Sequence, residues 1–230
     1  MKLSILLPVY NEVNTLLALL NKVGGVNMEK EIILVDDRST DGTRELLKEK
    51  IDGKIAGIKV FYHEKNKGKG SAVRTALEHA DGDYCIIQDA DLEYDPEDYI
   101  SLIARAMDGK EDVVYGSRFL RTWKTTSFTH YMVNGSLTFL TNLLFGSGLT
   151  DMETCYKLVR TDVMKSLDLK ADRFELEPEI TAKLLKKGHK IPEIPVSYKG
   201  RSYHEGKKIG WKDGIEAVIT LFRLKFSRNK

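Results

Sequence analysis

The chain has 230 residues, which at roughly 150 residues per domain points to one generous domain. Lys and Arg number 36 against 34 Asp and Glu, a net charge of +2 that excludes a globally basic nucleic-acid binder, and 42% hydrophobic with 30% charged residues excludes a disordered chain. Two cysteines, Cys85 and Cys155, exclude a cysteine zinc cluster and point to a reducing, cytoplasmic compartment.

The N-terminus, Met1 to Tyr10, lacks the charged and long apolar regions of a signal peptide. No apolar run reaches the roughly 18 residues that span a bilayer. Strands are predicted at Ser4–Val9, Glu31–Asp36, Ile58–His63, Asp83–Gln88 and Asp112–Tyr115. Helices are predicted near Glu12–Val23, Thr43–Lys50, Gly70–Ala80 and Pro96–Met107. Apolar strands alternating with helices indicate an α/β fold, a mainly parallel central sheet flanked by helices. Beyond it the pattern is less regular, a smaller α+β portion. Phe128–Phe145 is an apolar helix candidate broken at Asn134-Gly135 and ended by Gly146 and Gly148. A short strand over Cys155–Val159, a helix over Pro178–Lys187, a strand over Lys190–Val196 and a final helix over Gly210–Phe226 follow. No linker divides the chain, so residues 1–115 and 116–230 are expected to be two halves of one domain.

In such sheets ligands collect at the carboxyl ends of the strands. Three polar motifs fall there: Pro8-Val9-Tyr10-Asn11-Glu12, Asp36-Asp37 and Asp89-Ala90-Asp91. Two carboxylates at i and i+2 after a buried strand repel each other unless a cation sits between them. Mg²⁺ or Mn²⁺ takes such oxygens and leaves positions for a diphosphate, and Glu93 adds a third carboxylate; a solvated turn before the Asp95-Pro96 helix start is the plainer alternative. Asp36 to Thr43 imitates a calcium loop, but Lys48 stands where the closing Glu would be, and calcium is rejected. Asp41 or Thr40 is expected to cap the following helix. Gly68-Lys69-Gly70 opens a helix, yet it is neither a dinucleotide fingerprint, since Val73 replaces the third glycine, nor a P-loop. It reads either as a phosphate-attracting helix start beside Lys65, Lys67 and Lys69 or as an exposed basic turn.

Together, Pro8 to Glu12, Asp36-Asp37-x-Ser-x-Asp-Gly-Thr43, Asn66-x-Gly-Lys-Gly70 and Asp89-Ala-Asp91 resemble, in order, the motifs of family 2 glycosyltransferases of the GT-A fold. Gly116-Ser117-Arg118, Thr150 to Lys157 and Gly200 to Lys207 resemble the polyprenyl-phosphate branch, which includes dolichol-phosphate mannosyltransferases. The likeness spans essentially the whole chain. It implies an inverting, metal-dependent transfer of a sugar from a nucleotide-diphosphate sugar to a dolichyl or undecaprenyl phosphate. It implies donor binding by Pro8, Tyr10, Glu12, Asp37, Lys69 and Asp89, and Mg²⁺ or Mn²⁺ at Asp89, Asp91 and Glu93. Many dolichol-type members carry Gln where this chain has Glu93.

On that reading Asp89, Asp91, Arg118 and Arg201 are the catalytic candidates, and Arg118, Arg201 and Lys207 grip the acceptor phosphate, the arginines bidentately. An ionised lipid phosphate needs no strong base. A glycan hydroxyl acceptor, the alternative, would need Asp151 or Glu153 as base. Nucleotidyl transfer and a non-catalytic sugar or lipid module are further alternatives. Glu175 and Glu177 fit either an active-site face or the charge bias of a helix start. Tyr198 to Lys230 holds nine Lys and Arg against three Asp and Glu, a local charge of +6. Within it Ile215, Val218, Ile219, Phe222 and Phe226 recur at helical spacing. They read either as a core stripe or as an interfacial helix meeting an anionic membrane surface. The five histidines share no metal-ligand spacing.

Overall fold

Leu3–Val9 forms β1, every residue of it buried. A computed structural model describes residues 1–120, 128–200 and 211–227. β1 lies between β2 (Lys30–Asp36) and β4 (Tyr84–Ile87), parallel to both. Covered on both faces, these strands are near-continuous runs of Leu, Ile and Val, each buried side chain contributing about 1.5–3 kcal/mol. β3 (Ile58–Tyr62) adds a parallel, half-buried edge. On the other side come β5 (Val113–Ser117), β6 (Lys157–Arg160) and β7 (Glu193–Pro195), giving the order β3-β2-β1-β4-β6-β5-β7. β6 is antiparallel to both β4 and β5, while β5 and β7 are parallel. The fold is therefore mixed α/β with a mostly parallel seven-stranded sheet, as the alternation of elements predicts. The sheet draws strands from both halves of the chain.

The helices are α1 (Leu16–Gly25), α2 (Thr43–Lys50), α3 (Lys69–Glu78), α4 (Asp98–Gly109), α5 (Phe128–Phe145), α6 (Thr161–Ser166), α7 (Leu176–Lys186) and α8 (Trp211–Phe226). α1 starts four residues later than its pattern suggests, because residues 12–15 form a turn in which the Glu12 carbonyl accepts the Thr15 and Leu16 N–H groups at 3.2 and 3.0 Å. α2 matches its expected span, but its cap is Gly42, at φ +98°, rather than Asp41 or Thr40. Asp41 instead accepts the Thr43 N–H at 3.0 Å and the Val13 N–H at 3.1 Å, tying the first two strand-end loops together. α5 runs unbroken through Asn134-Gly135 and ends where expected, at Gly146, which has φ +67°.

A second apolar cluster joins α5, α7 and α8 through Leu137, Leu149, Met152, Ala182, Ala217 and Leu221. Of the stripe on α8, Val218 packs against this cluster, but the other four residues do not serve the core. Ala217, Thr220 and Leu221 face inward, whereas Ile215, Ile219, Phe222 and Phe226 are exposed. Among the described residues no helix is long and apolar enough to cross a membrane.

The glycines at the start of α3 serve packing. A Cβ on Gly70 would collide with the Ala171 carbonyl oxygen, and one on Gly68, at φ +96°, with that of Asp172. The same Asp172 carbonyl accepts the Ser71 N–H at 3.1 Å. Gly70→Ala is therefore expected to cost about 1–3 kcal/mol through overpacking. Gly135→Ala, in the middle of α5 with nothing within 4 Å of its added Cβ, is expected to stabilise by roughly 0.5–1 kcal/mol. Denaturant titration of both variants checks the contrast.

Candidate active site

The carboxyl ends of β1, β2 and β4 open into a cleft of ≈ 280 Å³. Pro8 comes from β1, Tyr10 and Glu12 from the loop after it, Asp37 from the residue after β2, Lys69 from α3, and Asp89, Asp91 and Glu93 from the loop after β4. Every donor-side and metal candidate of the sequence thus lines one cavity. The Thr15 hydroxyl lies 2.6 Å from Glu12 Oε2 and 3.0 Å from the Ala90 carbonyl, joining the β1 and β4 loops.

The two adjacent aspartates divide their work. Asp36, fully buried, pairs with Arg44 Nε at 2.6 Å and is structural. Asp37 accepts the Lys67 and Gly68 N–H groups at 2.9 and 2.7 Å and lies 2.7 Å from His63 Nδ1, whose Nε2 is 3.0 Å from the Thr75 hydroxyl. It therefore holds the loop that delivers Lys69. His63 thus bridges Asp37 and Thr75.

Gln88 fixes the loop that carries Asp89 and Asp91. Its side-chain carbonyl accepts the hydroxyls of Tyr99 and Tyr156, and its amide donates to the Asp89 carbonyl at 2.9 Å. Asp91 accepts the Glu93 N–H at 3.0 Å. Glu93 Oε2 accepts the Tyr198 hydroxyl at 2.9 Å, which turns it toward the acceptor side. Among the described residues no group of three His, Cys, Asp or Glu converges to hold a metal. The hard oxygens of Asp89 and Asp91 nevertheless suit Mg²⁺ or Mn²⁺, since such ions bind through one or two carboxylates and fill the remaining positions with phosphate and water.

Lys69 Nζ sits 2.7 Å from Asp89 Oδ1 and 2.9 Å from Glu177 Oε1. Burial alone would lower its pKa, but the charges of Asp89 and Glu177 outweigh that and hold the ammonium well above the usual lysine range. Behind it Lys157 is fully buried, donates to the Met152 carbonyl at 2.9 Å and to the Thr154 carbonyl, and has its pKa lowered by burial.

On the acceptor side Arg118 clasps Asp151 through Nε and Nη2, both at 2.7 Å, and stacks on Tyr198 at 5.2 Å. Asp151 is fully buried with both oxygens engaged, and its own N–H is held by Glu193 at 3.0 Å. Glu153 differs. One of its oxygens is buried with no hydrogen-bond partner, and burial pushes its pKa up to about 7 against the pull of Lys157. Arg201 and Lys207 lie outside the described residues. The motifs gave no sign of Arg173 and Phe174, which also line the cleft. The preceding loop is held by buried Glu179, which accepts the Lys170 and Ala171 N–H groups, and by Arg74 of α3, which donates to the Ala171 carbonyl at 3.1 Å and to Asp172 at 2.7 Å.

A mostly parallel α/β sheet with a carboxylate cleft at its carboxyl edge is the architecture of the GT-A fold. Residues 4–168 match the family model "Glycosyl transferase family 2", and the chain belongs to that family. It is 29% identical to the dolichol-phosphate mannosyltransferase of Pyrococcus furiosus, over 97% of this chain but 64% of that protein's length. It is 27% identical to the UDP-N-acetylglucosamine–dolichyl-phosphate N-acetylglucosaminyltransferase of Methanococcus voltae, over 97% and 96% of the two chains. The glucosyl-3-phosphoglycerate synthase of Mycobacterium tuberculosis, solved with UDP, superposes with a TM-score of 0.76 at 16% identity, covering 100% of this chain and 82% of that one. The same enzyme has been solved with Mn²⁺, UDP-glucose and phosphoglyceric acid, with a TM-score of 0.73 at 17% identity and coverages of 100% and 81%.

Glu153 gives a pH test. An acid whose folded pKa is raised from 4.5 to about 7 contributes stability below pH 4.5 and loses it as pH rises through 7. The melting temperature is expected to fall across that window, and Glu153→Gln to flatten the fall. Scanning calorimetry from about pH 5 to about pH 8 checks it.

Proposed function

We propose that the chain is one catalytic domain that transfers a sugar, with inversion, from a nucleotide-diphosphate sugar to a polyprenyl phosphate. The observation that carries this reading is the convergence of Pro8, Tyr10, Glu12, Asp37, Lys69, Asp89 and Asp91 on one cleft. Residues 1–115 supply most of the donor side and 116–230 the acceptor side, with Arg173 and Phe174 crossing over to the donor cleft. Relatives named for dolichyl-phosphate and undecaprenyl-phosphate substrates support the lipid acceptor, and a neighbour solved with Mn²⁺ and UDP-glucose supports the donor class and the metal.

Asp89 and Asp91 would hold Mg²⁺ or Mn²⁺, with Glu93 beside them. A bound ion supplies positive charge opposite the departing diphosphate. The chain's own residues orient the reaction: the donor diphosphate lies along Lys69 and the β4 loop, and Arg118, Arg201 and Lys207 hold the acceptor anion. An ionised phosphate oxygen then attacks the anomeric carbon as the bond to the diphosphate oxygen breaks, and no base removes a proton. A glycan hydroxyl acceptor would need a base, and with Asp151 committed to Arg118 only Glu153 is left for that role.

The lipid would be reached from the membrane surface. Phe139 and Leu143 on α5, and Ile215, Ile219 and Phe222 on α8, are exposed, with Arg223 and Lys225 beside them. Large apolar side chains flanked by cations suit an anionic bilayer interface.

Asp89→Asn and Asp91→Asn are each expected to lower sugar transfer by about 100-fold or more with cooperative melting retained. Full activity in both, or undiminished transfer in excess chelator, would remove the metal from the account. Salt-sensitive flotation with anionic vesicles is expected, and Phe222→Asn together with Arg223→Gln and Lys225→Gln should weaken it. Binding indifferent to those changes would reject the α8 surface.

A further inference from the structure

We infer that Lys69 is a resident counter-cation of Asp89, which a divalent ion must displace, and that Glu177 is the positioning residue that retains the ammonium afterwards. This rests on the metal reading proposed above. Lys69 is the first residue of α3, and its backbone is fixed from both sides. Gly68 and Gly70 pack against the carbonyls of Asp172 and Ala171, and Asp37 holds the Gly68 N–H. Only the side chain is left to move. Its ammonium bridges a cleft carboxylate and an interior one, since the Asp89 side chain is 27% exposed and that of Glu177 only 7%.

A metal bound through Asp89 competes directly with the ammonium 2.7 Å from Asp89 Oδ1. Two cations cannot share that oxygen at full strength, so one must yield. A displaced, buried ammonium without a partner would be costly. Glu177 removes that cost. Its Oε1 already holds Lys69 at 2.9 Å, while its Oε2 is buried, has no hydrogen-bond partner and stands 4.0 Å from Lys157 Nζ. Glu177 thus has acceptor capacity to spare, and Lys69 can stay paired when Asp89 turns to the metal. The only other group contacted by the ammonium is the weak acceptor Cys155 Sγ, at 3.9 Å, among the bonds the structure describes. In the metal-free chain the same ammonium offsets the repulsion between Asp89 and Asp91 and keeps the loop assembled.

The test is binding of Mn²⁺ alone to the full chain without nucleotide, with free Mn²⁺ read by electron paramagnetic resonance. Lys69→Met is expected to tighten Mn²⁺ binding roughly ten-fold, because a direct competitor for Asp89 Oδ1 is gone. Lys69→Arg should bind as the unaltered chain does. Glu177→Gln should weaken binding several-fold, because Lys69 then leans on Asp89 alone. If the pair serves packing only, Lys69→Met and Glu177→Gln lower the melting temperature and leave the Mn²⁺ affinity unchanged, which overturns the inference. Should Lys69→Met fail to melt cooperatively, Lys69→Gln takes its place in the same assay. Asp89→Asn separates the two levels. If it binds Mn²⁺ normally, the metal reading itself fails. If it loses Mn²⁺ while the Lys69 and Glu177 variants keep unaltered affinity, only the counter-cation role fails.

Discussion

Carboxylates at the carboxyl edge of a parallel sheet gain from matching by N–H groups or cations, and much of the cleft is organised around that matching. Asp36 has Arg44, Asp37 has the Lys67-Gly68 backbone and His63, Asp89 has Lys69, and Asp151 has Arg118. The same rule holds at the opposite edge. There burial would raise the pKa of Glu31, yet the Ser4 hydroxyl, the Asp81 N–H, Lys2 and Lys59 bring it down to about 2. An unmatched charge in these positions would cost several kcal/mol. Each pair therefore fixes a loop as well as a charge.

Several parts of the cleft follow from that matching. Holding the 67–68 backbone on Asp37 sets the start of α3 and with it Lys69. Two glycines let the 170–173 loop close on that helix, and the loop in turn carries Arg173 and Phe174 to the cleft wall. On the other side, the Arg118–Asp151 clasp engages both carboxylate oxygens of Asp151 and aligns Arg118 beneath Tyr198. Tyr198 reaches Glu93, and Lys199 N–H donates to the Glu93 carbonyl at 2.8 Å. The donor loop and the segment leading toward Arg201 are thus physically joined, which suits an enzyme that must bring two substrates together.

Much of this was legible in the chain itself. Apolar runs ending in Pro8 to Glu12, Asp36-Asp37 and Asp89 to Asp91 located the strands and, through the carboxyl-end rule, the cleft. What stayed hidden depends on contacts distant in sequence. The run Cys155–Val159 carries no direction, so the antiparallel insertion of β6 between β4 and β5 could not be read. That Gly68 and Gly70 also serve packing could not be read, because their partners Asp172 and Ala171 lie about 100 residues away. Asn134-Gly135 suggested a break, yet α5 tolerates an exposed glycine at modest cost. On α8 the large residues drew the eye, while the face that packs is built mainly from Ala217, Thr220 and Leu221, with Val218 and Leu224 beside them. Pairing Asp151 with Arg118, 33 residues earlier, required the sheet to be assembled first.

The most direct measurement is mass spectrometry of the products formed by the full chain with Mn²⁺, a panel of nucleotide sugars, and either polyprenyl phosphate or the matching polyprenol plus free saccharides. The proposed transfer predicts a polyprenyl monophosphate sugar together with one nucleoside diphosphate per transfer, and nothing with the polyprenol. Transfer to a saccharide hydroxyl, with polyprenyl phosphate left unmodified, would contradict it.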